Sequence, residues 1–131
     1  MDEDDPQDVS LSELQLAVMR VLWSCGEAST ADVADGLRAE RPLAHTTVAT
    51  LLTRLEKRGL LASRREGRQL VYRPLVSESQ VQRSMVSGLV SSLFGGDARA
   101  LVSHLLREDE IAPSDLEQMR ALLQGKGKRN A

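Results

Sequence analysis

The sequence predicts a mostly α fold, a winged helix-turn-helix DNA-binding domain followed by a helical dimerisation domain. Three observations carry that expectation. Three helical hydrophobic patterns precede a short alternating stretch with a glycine turn. Positive charge gathers on the third helix and that stretch, where residues 41–73 hold eight Arg or Lys against only Glu56 and Glu66. The second half then carries apolar helical stripes without enough partners in its own chain.

Each element has a local cause. Residues 1–10 are acidic and polar and are expected to form a disordered tail. The domain expected over 11–76 opens with a helix at Ser12, where Ser12 and Gln15 make a capping box and Leu11 and Leu16 a hydrophobic staple. Leu14, Ala17, Val18, Val21 and Leu22 follow at helical spacing, and Gly26 ends the helix. A second box, Ser29 to Asp32, starts a helix that buries Val33 and Leu37 and stops near Ala39, ahead of Pro42. The third helix runs from His45 to Arg58 and stops at Gly59.

Beyond it, Leu61, Ser63 and Arg65 alternate with Ala62 and Arg64, and Leu70 and Tyr72 with Val71 and Arg73. Glu66-Gly67-Arg68-Gln69 lies between, so the segment is a hairpin with an arginine-rich tip. The helical dimerisation domain is expected over 77–124. Ser77 and Gln80 form a third box, and Val81, Met85, Val86, Leu89, Val90 and Leu93 form a stripe up to Gly95-Gly96. Asp97 caps a helix with Leu101, Val102, Leu105 and Leu106, and Pro113 opens a last one with Leu116, Met119, Leu122 and Leu123. Ala112 at that N-cap has no side-chain oxygen to offer. Val81, Met85, Leu89, Leu101, Leu105, Leu116, Met119 and Leu122 are the expected homodimer interface. Residues 125–131 form a basic frayed tail.

The third helix poses a question of its own. Val48, Leu51, Leu52 and Leu55 gather on one face, and Thr46, Thr47, Thr50 and Arg54 near the other. Threonine is a mediocre helix former, so its repetition needs a reason outside helix propensity. A recognition helix supplies one. The hydroxyl can bond a base edge, and the methyl can pack on a thymine methyl. Arg54 can reach a phosphate or a guanine, and His45 a phosphate near the helix N-terminus. Arg64, Arg65 and Arg68 on the hairpin are expected on the sugar-phosphate backbone, where cations set affinity and salt dependence. Double-stranded DNA is the expected partner, despite a net charge of -2 over 131 residues.

Composition excludes other classes. Aromatic residues make up 2%, too few for stacking single strands or sugars. One cysteine and two histidines make neither a disulfide nor a metal site. No cofactor is expected. No general base, nucleophile or glycine-rich phosphate loop accompanies Glu108-Asp109-Glu110, so an enzyme is not expected. The acidic start is unlike a signal peptide, and no apolar run suits membrane insertion, so the expected location is cytoplasmic.

"LSELQLAVMRVLWSCGEASTADVADGL", "HTTVATLLTRLEKRGLL" and "GRQLVYRPLVS" resemble the penicillinase-repressor family, the BlaI/MecI/CopY group. "FGGDARALVSHLLREDEIAPSDLEQMRALL" resembles its dimerisation segment. The resemblance covers residues 11–124. It implies a dimeric repressor of β-lactamase or related resistance genes on operators of dyad symmetry. The implied base-reading positions are Thr46, Thr47 and Thr50, with Arg54 nearby. It also implies inactivation by a protease linked to a membrane sensor. The family's Asn-Phe cleavage pair aligns with His104-Leu105, a departure from the pattern. The copper-responsive branch ends in a cysteine cluster that this chain lacks after Cys25. Two other functions compete. A small-molecule-responsive winged-helix regulator needs more chain to build its pocket. A winged helix used only for protein contacts has no need of the arginines.

Overall fold

The computed structural model describes residues 9–108, 111–118 and 120–121. Its elements are α1 (Glu13–Cys25), β1 (Ala28–Ser29), α2 (Thr30–Leu37), α3 (His45–Lys57), β2 (Leu61–Glu66), β3 (Gln69–Pro74), α4 (Glu78–Phe94) and α5 (Ala98–Arg107). The capping boxes form. Ser12 accepts from the Gln15 amide at 3.2 Å while Gln15 accepts from the Ser12 amide at 3.0 Å. Ser29 and Asp32 exchange the same pair at 3.1 Å each, and Ser77 and Gln80 at 2.7 and 3.0 Å. Asp97 caps α5 by accepting from the amides of Arg99 and Ala100. Gly26 and Gly59 end α1 and α3 with φ of 88° and 81°, a region that side chains resist.

Three antiparallel strands lie in the order β1-β3-β2. β2 and β3 form the expected hairpin, turning at Gly67 with φ 66°. The two-residue β1 pairs Ala28 with Tyr72 and Ser29 with Val71, and the sequence pattern had not announced it. The core joins Val18, Met19 and Leu22 of α1, Val33 and Leu37 of α2, Val48, Leu51, Leu52 and Leu55 of α3, and Leu61 and Tyr72 of the sheet. Trp23 packs half-buried against it, its indole N–H donating to the Val76 carbonyl at 2.9 Å.

Two placements differ from expectation. Val9, assigned to a disordered tail, is 8% exposed within the core, and its carbonyl accepts the Ser84 hydroxyl at 2.8 Å. Val81, assigned to a dimer interface, is 1% exposed and belongs to the chain's own core; Met85 packs against the same cluster. Val81 is therefore already covered by the winged domain, and Met85 is partly covered. The chain forms two compact units that divide between Gly88 and Leu89. The first half of α4 thus completes the winged unit.

In the second unit α5 buries none of its residues. His104 is exposed, its ring 6.2 Å from that of Phe94. Residues 113–118 are helical as expected, with the amides of Asp115 and Leu116 donating to the Ala112 carbonyl at 2.9 and 3.1 Å. Met119, Leu122, Leu123, the basic tail and residues 1–8 lie outside the described residues.

Val81→Ala tests the reassignment. It should lower stability by about 1–3 kcal/mol, the worth of a buried aliphatic side chain, and leave subunit association unchanged. Chemical denaturation and sedimentation equilibrium on the same variant measure the two effects. Weakened association with unaltered stability would return Val81 to an interface.

Candidate nucleic-acid interface

The inner face of α3 determines its outer face. Val48, Leu52 and Leu55 are fully buried and Leu51 nearly so. At 3.6 residues per turn, that leaves His45, Thr46, Thr47, Thr50, Thr53, Arg54 and Lys57 exposed. Ala49, Thr50, Thr53, Arg54 and Lys57 line a shallow depression of about 290 Å³ along the helix. The small Ala49 gives it room. α3 has no side-chain cap, since Ala44 occupies its N-cap.

Two threonine hydroxyls are already engaged. Thr50 donates to the Thr46 carbonyl at 3.0 Å, and Thr53 to the Ala49 carbonyl at 2.9 Å. Each hydroxyl hydrogen is spent inside the helix, so the oxygen presents lone pairs outward. With its methyl, Thr50 thus offers an acceptor and an apolar contact.

The hairpin is tied to this helix. Ser63 on β2 donates to the Glu56 carboxylate at 2.6 Å. Tyr72 is the cross-strand partner of Ser63. Burial pushes its phenol up, the Glu56 carboxylate adds to the rise, and the nearby Thr53 hydroxyl opposes it. Glu56 and Ser63 were not singled out from the sequence, because a glutamate on a charged helix carries no mark of its strand partner.

Arg65 and Arg68 are exposed along the hairpin and its tip. Arg64 differs from the expected free cation. It donates to Glu66 at 3.0 Å and to Glu27, and these carboxylates, Glu66 first, raise its pKa further. Glu27, in the turn between α1 and β1, was another residue the sequence reading missed.

A threonine-and-arginine face on the third helix of a winged helix, beside a basic hairpin, is the apparatus of a regulator that binds duplex DNA. The chain belongs to the penicillinase repressor family, whose profile matches residues 11–125. It is 26% identical over 114 residues to the penicillinase repressor of Bacillus licheniformis, covering 87% of this chain and 89% of that one. It is 23% identical over 122 residues to the methicillin resistance regulatory protein MecI of Mammaliicoccus sciuri, covering 93% and 99%. The solution structure of the DNA-binding domain of the repressor BlaI matches with TM-score 0.50 and 35% identity, over 54% of this chain and 87% of that one. A MarR family protein from Bacillus stearothermophilus, 16% identical, shares the fold with TM-score 0.51 over 92% and 76%. The chain is a DNA-binding repressor of the BlaI/MecI group with a winged helix-turn-helix.

The helix face and the hairpin should fail differently when altered. Thr50→Ala should cost about 1–3 kcal/mol on the preferred duplex and flatten discrimination between sequences. Arg68→Ala should weaken preferred and random duplexes alike and lower the salt slope by about one unit. Binding isotherms at several salt concentrations separate the two. A changed base preference in Arg68→Ala would reverse the assignment of the hairpin.

Proposed function

We propose that this chain is a homodimeric transcriptional repressor of a dyad-symmetric operator, controlling β-lactamase or related resistance and stress genes. The observation that carries the reading is the α3 surface. A helix anchored by four buried aliphatic residues displays threonines and Arg54 in line along its other side. In this reading Thr46, Thr47 and Thr50 meet base edges in the major groove. His45, Arg54, Arg65 and Arg68 meet phosphates.

Dimerisation rests on apolar surface that the chain leaves uncovered. Val86, Leu89 and Leu93 of α4 are 52%, 39% and 68% exposed, and Val102 and Leu106 of α5 are 48% and 45% exposed. Exposed aliphatic side chains in such number suit a partner, and a second copy gives two reading heads related by a two-fold axis. The proposed interface comprises Leu89, Leu101, Leu105 and Leu116 together with these residues. The names of the relatives, a penicillinase repressor and a methicillin resistance regulator, support the choice of target genes. Release by a protease would act on a different peptide from the family's Asn-Phe pair. His104-Leu105 lies inside α5, so cutting there requires the helix to unwind locally.

Titration of the purified protein against an inverted-repeat duplex and a single half-site tests the proposal. The intact repeat should bind two chains, and far more tightly than the half-site. Leu89→Asp should yield monomers that lose this advantage and keep half-site affinity. Equal affinity of the wild-type protein for both duplexes, with one chain on each, would refute the dimer.

A further inference from the structure

Arg64 lies on the opposite face of the wing from Arg65. Directly opposed residues of an antiparallel pair lie on one face, and successive residues alternate. Ser63 opposes Tyr72 and Arg65 opposes Leu70, on the face that meets α3 through Glu56. Arg64 opposes Val71, and Glu66 opposes Gln69, so these side chains lie on the reverse face.

There both guanidinium ends are occupied. Nη1 donates to Glu66 at 3.0 Å and Nη2 to Glu27. Glu27 immediately precedes β1, which sits across β3 from β2. To reach it, the Arg64 side chain crosses the width of the sheet and passes over Val71, which is 6% exposed. The backbone joins β1 to β3 over only two residue pairs. Arg64 adds a side-chain strut from the outer half of β2 to the body of the domain. With both ends of its guanidinium paired to carboxylates, Arg64 has little charge left to offer a phosphate.

From this placement we infer that Arg64 is a positioning residue: Glu27 and Glu66 hold it as a clamp that fixes the angle of the wing, and Arg65 and Arg68, rather than Arg64, carry the wing's phosphate contacts. The inference rests on the operator-binding reading above. In it the wing's reach is set from the reverse face of the sheet. The hairpin then presents two cations to the backbone in a fixed direction, and that direction matters most on the sequence α3 fits.

Glu27→Gln separates the clamp from its rival, a phosphate-binding arginine masked by a carboxylate, because the two require opposite signs. The full-length wild-type protein, Glu27→Gln and Arg64→Lys are titrated across a salt series. The probes are the duplex the wild-type protein selects from genomic fragments and a random duplex. Thermal melts confirm folding, which side chains about half exposed should not govern. With the clamp, Glu27→Gln weakens the selected duplex by about two- to fivefold, although the protein has lost a negative charge. Random-duplex affinity does not fall, and the salt slope is unchanged. Arg64→Lys, which keeps a cation between the carboxylates but not the fork, gives a smaller loss in the same direction. If Glu27→Gln tightens both duplexes and steepens the slope by about one unit, Arg64 is a masked phosphate contact and the clamp is wrong. Unchanged binding in both variants also overturns it. A wild-type protein that binds no duplex removes the operator reading itself, an outcome read before any variant is compared.

Discussion

A helix that must bury Val48, Leu51, Leu52 and Leu55 has no freedom over what it shows to solvent. These four side chains contact α1, α2 and the sheet through one continuous core, so α3 cannot roll about its axis without opening a cavity. Burying each is worth about 1.5–3 kcal/mol, more than any single polar contact on the outer face. The core therefore aims the threonine face, and the weaker interactions of that face are left free to serve a ligand.

The wing depends on the same helix at one remove. Glu56, the penultimate residue of α3, holds Ser63 of the sheet. The early residues of α4 also join the unit. Val81 fills the core, and the Ser84 hydroxyl reaches back to the Val9 carbonyl, 75 residues earlier in the chain. α4 is thus a closing element for the first unit before its remaining length enters the second.

Most of the winged domain was legible because its signals are local and redundant. The boxes at Ser12, Ser29 and Ser77, the glycine stops and the α3 stripe each name one element by itself. What failed to show depends on distant partners. β1 is two residues long and exists only because β3 lies beside it. Val9 sits among acids and looks like tail, yet its partner is Ser84. The stripe on α4 is continuous in sequence, but its early members face the winged core while Val86, Leu89 and Leu93 remain exposed. Periodicity identifies an apolar face without saying which surface covers it. The candidate site was legible on α3, where spacing alone sorts faces. It was less so on the wing, because alternation puts Arg64 and Arg65 on different faces but cannot reveal the waiting carboxylates of Glu27 and Glu66.

The inward hydrogen bonds of Thr50 and Thr53 carry a thermodynamic consequence. Each hydroxyl is fastened to its own helix one turn back, and branching at Cβ restricts the side chain further. Their rotamers are chosen before any ligand arrives. A long arginine must give up several torsions on contact, whereas these threonines have almost no motion left to surrender. Association through such a surface should be favoured by its entropy relative to one built from flexible cations, with the ordering cost met once, when the chain folds.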